Sequence, residues 1–302
     1  MQEKMEKKRL FKFIKKLANT PLGVILKAIN EIIAFTQSIF LNTIWYLTGN
    51  KKPTDEEVKD VCENVTFIYK SFERQKKAKC LYKSIQSYYP GVKVVIADDS
   101  AKPLELVGEN LEIIQLPFNS GLSVGLNRAL ERVATPFVVR MDDDQLLTPF
   151  TRIEKQLAFL KEHAEVDLVG ILLNHLPKYR SIKKEAEGYY KQPMNYAPKK
   201  LLIPHLTKID ETHIVVGKSP NTFVARTDKI KEIGYDDNIR MIDHNEFFYR
   251  AAGNIVSVLD KTAFVLHFRN WFDTHYNKYR SDYQGDVVYI QEKMRKNTKN
   301  CT

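Results

Sequence analysis

Apolar positions along this chain fall into two regimes that meet near residue 50. Between Pro21 and Leu47, the residues Leu22, Ile25, Leu26, Ile29, Ile32, Ile33, Phe40, Ile44 and Leu47 recur at helical spacing, and Phe35 and Ile39 widen the face. Lys27, Asn30, Glu31, Thr36, Gln37, Ser38 and Asn42 interrupt it. A crossing helix wants about 20 mainly apolar residues, so polar groups placed this often make crossing costly. No small-residue cleavage site follows, which argues against a secretory signal. The pattern predicts one or two amphipathic helices lying in a membrane interface, or a helical hairpin packed on the protein or on a second subunit.

After Lys51-Lys52-Pro53 the period changes. β-branched and aromatic residues predict a strand over 65–69, and a helix over 75–88 stops at Pro90-Gly91. Further strands are predicted at 92–97, 112–116 and 137–141, with a helix over 122–133 and another opened by Pro149. Strands alternating with helices mean an α/β fold whose mostly parallel sheet is covered on both faces. Ligands of such sheets collect at the carboxyl ends of the strands. Asp98-Asp99-Ser100 and Asp142-Asp143-Asp144 stand at two of those ends.

Composition narrows the picture. At 302 residues and 43% hydrophobic, the chain is long enough to bury one sizeable core, or one core plus a small accessory element. Three cysteines without paired spacing fit a reducing compartment, and we expect a cytoplasmic protein. The net charge of +10 is uneven: residues 1–16 hold seven Lys/Arg against two Glu, and Lys293, Arg295, Lys296 and Lys299 crowd the other end. Basic tails favour an anionic partner. No nucleic-acid-binding signature accompanies them, and the first stretch alternates with Leu10, Phe11, Phe13, Ile14 and Leu17, which suits the inner face of a membrane.

The triple aspartate carries the most chemistry. Adjacent carboxylates at a strand end repel one another unless a cation neutralises them. Oxygen donors of this kind suit Mg2+ or Mn2+, which bind through one or two carboxylates plus substrate phosphates. Alternation along a strand would turn Asp142 and Asp144 to one side. Asp98 and Asp99 are placed to accept hydrogen bonds from a nucleotide, or simply to cap a turn. In the stretch 119–127, Gly121 permits a tight turn, Gly125 permits close packing of helix on strand, and the helix start can face a phosphate.

With these residues in order, the chain from Val65 to His267 resembles the GT-A glycosyltransferases, and among them the ganglioside β-1,4-N-acetylgalactosaminyltransferase group and its bacterial relatives. The carriers are the stretch 94–100, Leu116-Pro117-Phe118, the Gly121/Gly125/Asn127 segment, the triple aspartate, Leu168-Val169-Gly170, the stretch 221–229 and the stretch 244–248. The resemblance implies a UDP-sugar donor, a glycan or glycolipid acceptor, a divalent metal and inversion at the anomeric carbon. By motif position, Asp142 and Asp144 carry metal and diphosphate beside Asp143, and His267 completes the metal shell. Phe72, Arg74, Asp98, Asp99, Ser100, Gly121 and Asn127 lie near the nucleotide. Glu246 matches the acceptor's general base, with Asp243 its rival three residues earlier. Leu126 stands where relatives commonly have Arg, so one phosphate or base contact is either missing or supplied by Arg128. The resulting layout is an amphipathic element over 1–52 for membrane association or dimerisation, a GT-A domain with a Rossmann-like nucleotide-sugar-binding sheet over 62–270, and an aromatic, basic tail or lid over 271–302. The setting it implies is bacterial surface-glycan synthesis. A nucleotidyl- or phosphosugar transferase would instead show a Gly- and Lys-rich loop around the first strand, and none is present. A non-catalytic membrane assembly module would not need the intact carboxylate set.

Overall fold

The computed structural model describes residues 16–48, 52–177, 182–195, 197–270, 272–280 and 283–299. Helix α1 (Pro21–Leu47) is one continuous helix, not two; Thr20 caps it by accepting a hydrogen bond from the Gly23 amide. Helix α2 (Asp55–Asn64) opens with a capping box between Thr54 and Glu57 and runs straight into β1 (Val65–Ser71). There follow α3 (Gln75–Tyr88), β2 (Lys93–Asp98), β3 (Leu111–Gln115), α4 (Leu122–Glu131), β4 (Phe137–Asp142) and β5 (Gln145–Leu146). Next come α5 (Ile153–Glu162), β6 (Leu168–Leu176), α6 (Ile182–Tyr190), β7 (His213–Val215), β8 (Phe223–Arg226) and α7 (Thr227–Ile233). The chain ends in α8 (Asp243–Ala251), β9 (Ser257–Phe268), α9 (Thr274–Arg280) and α10 (Gln284–Lys299).

The strands order as β3-β2-β1-β4-β8-β6-β9-β5, with β7 paired to β9. The first four are parallel, as the alternation predicts. Beyond β4 the sheet is mixed, because β8 enters antiparallel between β4 and β6. Register aligns Ser71 with Asp98 and Lys70 with Asp142, so both acidic clusters end at one edge of the sheet.

Alternation along the strands divides the core. Val65, Phe67 and Tyr69 of β1 and Phe137, Val139 and Met141 of β4 face one layer under α2, α3 and α5. Ile68 and Val138 face the other, under α4 and α8. Arg140 shares the side of Val138 yet is 1% exposed, a charge the fold buries only because partners await it. One boundary differs from expectation. Pro149 lies in a turn and the helix starts at Ile153, since Thr148 and Thr151 bond to each other and to the Phe264 carbonyl, and Arg152 has a left-handed φ of 46°.

Candidate active site

A cavity of about 650 Å³ opens at the carboxyl edge of β1 and β4. All three aspartates line it, but they do not form one cluster. β4 ends at Asp142, and Asp143-Asp144 belong to the turn that follows, so strand alternation does not set their directions. Arg74 ion-pairs with both Asp143 and Asp144, at 2.8 Å for Asp144. Asp142 turns the other way, to Arg140 at 3.0 Å. The like charges are thus shared between two guanidiniums.

Burial pushes the Asp143 carboxyl up to about 6 against the pull of Arg74. Burial acts on Asp144 too, but Arg74 and His267 together hold it well below the usual carboxylate range. His267 Nε2 lies 3.3 Å from Asp144 Oδ1, and its Nδ1 lies 2.8 Å from His175 Nδ1. Among the described residues no group of three or more His, Cys, Asp or Glu side chains forms a ready cage for a cation. The expected trio of Asp142, Asp144 and His267 is therefore brought together only as the pair Asp144 and His267. That pair fits an ion completed by phosphate oxygens, because neighbouring ligands at about 2.1 Å from an octahedral centre stand about 3 Å apart.

The two candidate bases are separated by the fold. Asp243 begins α8, is buried and lines the cavity; its Oδ2 lies 3.9 Å from Arg140. Burial raises it to about 6, with Arg140 opposing and Asp142 reinforcing the shift. Glu246 is 1% exposed, does not line the cavity, and is gripped by Arg250 and Lys293, each at 2.5 Å. One helical turn separates them in sequence, yet Glu246 faces α10.

Asp98 accepts from the Ser100 hydroxyl (2.7 Å) and the Leu104 amide (2.8 Å), so both Asp98 and Ser100 shape the loop and neither lines the cavity. Asp99 binds the Gly121 amide at 3.1 Å and Lys70 at 2.6 Å. It acts through Gly121 and Lys70, which do line the cavity. Gly121 needs its φ of 108°, and a Cβ on Gly125 would stand 2.7 Å from the Lys70 Cγ, so both glycines keep their expected roles. Asn127 ties α4 to the 235–237 loop by bonds to Tyr235 and Asp237 and does not line the cavity. Arg128 pairs with Glu131 outside it, so it does not substitute for the arginine missing at Leu126, which is buried.

Phe72 and Arg74 line the cavity as expected, and α9 comes down on both. Tyr279 meets Phe72 edge-on at 5.1 Å and Phe118 at 5.7 Å. The Arg74 guanidinium lies over Tyr276 at 3.8 Å. Burial pushes the Tyr276 phenol up to about 12, although Arg74 and Arg280 oppose the shift.

Several site residues are not among the sequence candidates. Arg140 is signalled only by a charge inside an apolar strand, and Lys70 by the same oddity in β1. Glu185 and Tyr189 reach the cavity from α6, and Lys218 reaches it from a loop. Asp286 of α10 is buried and accepts the amides of Arg240, Met241 and Ile242 at 3.2, 2.7 and 3.2 Å. These three residues line the cavity and lead into Asp243. Asp286→Ala is expected to lower the melting temperature and reduce turnover about tenfold with the fold retained, because three amides lose a charged acceptor; thermal melts and steady-state rates check this.

Known proteins resemble this chain in sequence and in fold. Residues 66–217 match the family described as Glycosyl transferase family 2. Beta-1,4 N-acetylgalactosaminyltransferase 1 of Rattus norvegicus is 33% identical over 198 residues, 63% of this chain and 36% of that protein. The amylovoran biosynthesis glycosyltransferase AmsE of Erwinia amylovora is 43% identical over 60 residues, 20% of this chain and 22% of its own. The chain thus spans little more than a third of the first of these relatives. The S. aureus TarS 1-349 structure superposes with a TM-score of 0.53 at 20% identity, over 68% of this chain and 60% of that one. The same TarS fragment in complex with UDP-GlcNAc superposes with a TM-score of 0.51 at 18% identity, over 68% and 58%.

Proposed function

Since this chain belongs to glycosyl transferase family 2 and has the GT-A fold, we propose that it moves a sugar from a UDP-sugar onto a glycan hydroxyl. The observation that carries this reading is one cavity lined by both the Asp144–His267 pair and the buried Asp243. The UDP-GlcNAc complex of TarS supports a UDP-linked donor, and the N-acetylgalactosaminyltransferase relatives support an N-acetylhexosamine. The amylovoran biosynthesis relative supports a bacterial surface glycan as the product.

In this reading the base stacks at the aromatic end formed by Phe72, with Tyr279 closing it. Lys70, held by Asp99, faces the diphosphate beside the Gly121 turn. Asp144 and His267 would hold a divalent cation, Mn2+ or Mg2+, which supplies Lewis-acid charge to the departing diphosphate. Asp143 keeps Arg74 in place beside them. Asp243, which lines the same cavity, accepts the proton of the acceptor hydroxyl as that oxygen bonds to the anomeric carbon and the bond from that carbon to the β-phosphate oxygen breaks. Attack from the face opposite the leaving group inverts the centre. Arg140, between Asp142 and Asp243, keeps the base oriented and steadies it as an anion before the proton arrives.

Calorimetry with UDP tests the donor half. Binding that requires Mn2+ and weakens at least tenfold in His267→Ala is expected; equal affinity with and without metal contradicts the assigned pair.

A further inference from the structure

Helix α1 presents an apolar face that the other described residues leave open. Leu22, Ile25, Ile29, Ile32, Phe35 and Phe40 all point outward, Ile32 and Phe35 each 63% exposed. A contiguous patch of this length exceeds what water-facing surfaces of monomers carry. The charged residues of α1 and Asn30 are engaged elsewhere, while Thr36 and Thr43 are exposed among the outward apolar residues, Thr36 bonding back to the Ile32 carbonyl at 2.8 Å. Lys27 and Glu31 are its only charges, and both are used on the segment after β9: Lys27 with Asp273 at 3.2 Å, and Glu31 accepting from Asn270 at 3.0 Å. Asn30 donates to the Arg269 carbonyl at 3.0 Å. Toward its end α1 buries Ala34 and Trp45, the latter edge-on to Phe150 and Phe264 at 5.4 and 5.0 Å.

Contacts from Lys27 to Trp45 cover about 27 Å of helix. A helix docked along that length cannot cross a bilayer without carrying the charged flank of the domain into hydrocarbon, so it lies in the plane of the surface that covers it. The stretch before it holds seven Lys/Arg against two Glu, which complements acidic headgroups and would repel its own copy.

We propose that the outward face of α1 rests on an anionic lipid bilayer and that the helix thereby holds the mouth of the donor cavity beside the membrane. Arg269, Asn270 and Asp273, the residues α1 grips, are themselves part of the cavity wall. The lipid contact stands apart from the glycosyl-transfer reading; only the significance of the cavity's position rests on it.

Flotation of the full chain with vesicles of phosphatidylglycerol and phosphatidylcholine tests the surface, with Ile32→Asp/Phe35→Asp as the variant and UDP–Mn2+ binding as the control for an intact site. The expected result is that the wild type floats, the double variant loses at least tenfold in partitioning, and UDP binds both alike. A wild type that stays in the bottom fraction overturns the proposal, and so does a stable dimer in solution that the double variant dissociates, because the face then belongs to a second copy. Loss of UDP binding in wild type and variant alike, with flotation intact, would strike the donor reading and leave the lipid surface standing.

Discussion

Asp144→Ala is expected to lower sugar transfer by about 10²–10³-fold, the cost of removing one electrostatic stabiliser of leaving-group charge. The reasoning starts from position. Asp144 Oδ1 stands opposite His267 Nε2, and Arg74 holds its other oxygen, so this side chain fixes both members of the cation site. Its low proton affinity leaves a carboxylate at any working pH. Removal leaves Arg74 still paired to Asp143, so the fold should hold. Added Mn2+ should restore little activity, since the lost group is a ligand. Steady-state rates across a metal titration, with a thermal melt beside them, give the answer. A rate within threefold of wild type would remove Asp144 from the site.

Asp243→Asn is expected to lower kcat by about 10²–10⁴-fold, the span general-base help provides. Only the ionised form accepts a proton, and burial raises Asp243 to about 6. For wild type, kcat/KM should therefore climb as pH rises through about 6 and fall about tenfold per unit below it, and the variant should lose that limb. Glu246→Gln gives the contrast. It leaves Arg250 and Lys293 facing a neutral group in a largely buried network, which should cost about 3 kcal/mol of stability. Turnover per folded molecule should change little. Reversed outcomes, with the pH limb gone only in Glu246→Gln, would return the base role to Glu246.

The parallel half of the fold was legible because β1, β2 and β4 are near-continuous apolar runs, two of them ending in acidic clusters, and the 3.6-residue pattern marked α3 and α4. The antiparallel insertion of β8 was not, since four residues, Phe223–Arg226, say nothing about direction. At the site, residue type was readable and partnership was not. Alternation pointed to Asp142 and Asp144 as a pair, but a turn begins after Asp142, and Arg140 of the same strand and Arg74 from beyond β1 sort the carboxylates. Asp243 and Glu246 share a helix with spacing that places both on one side. Which of them meets the cavity depends on α10, whose Lys293 arrives from 47 residues along the chain. Asp286, holding the loop before Asp243, is one of four acidic residues in the basic tail 271–302, and no local pattern marks it.

One measurement reaches the centre of this account: a crystal of the protein grown with UDP and Mn2+, with anomalous scattering to locate the metal. The expected result is a single peak within ligand distance of Asp144 Oδ1 and His267 Nε2, bridged to the diphosphate, with the uracil against Phe72. A nucleotide bound with its phosphates remote from that pair, or a metal peak elsewhere in the cavity, would contradict it.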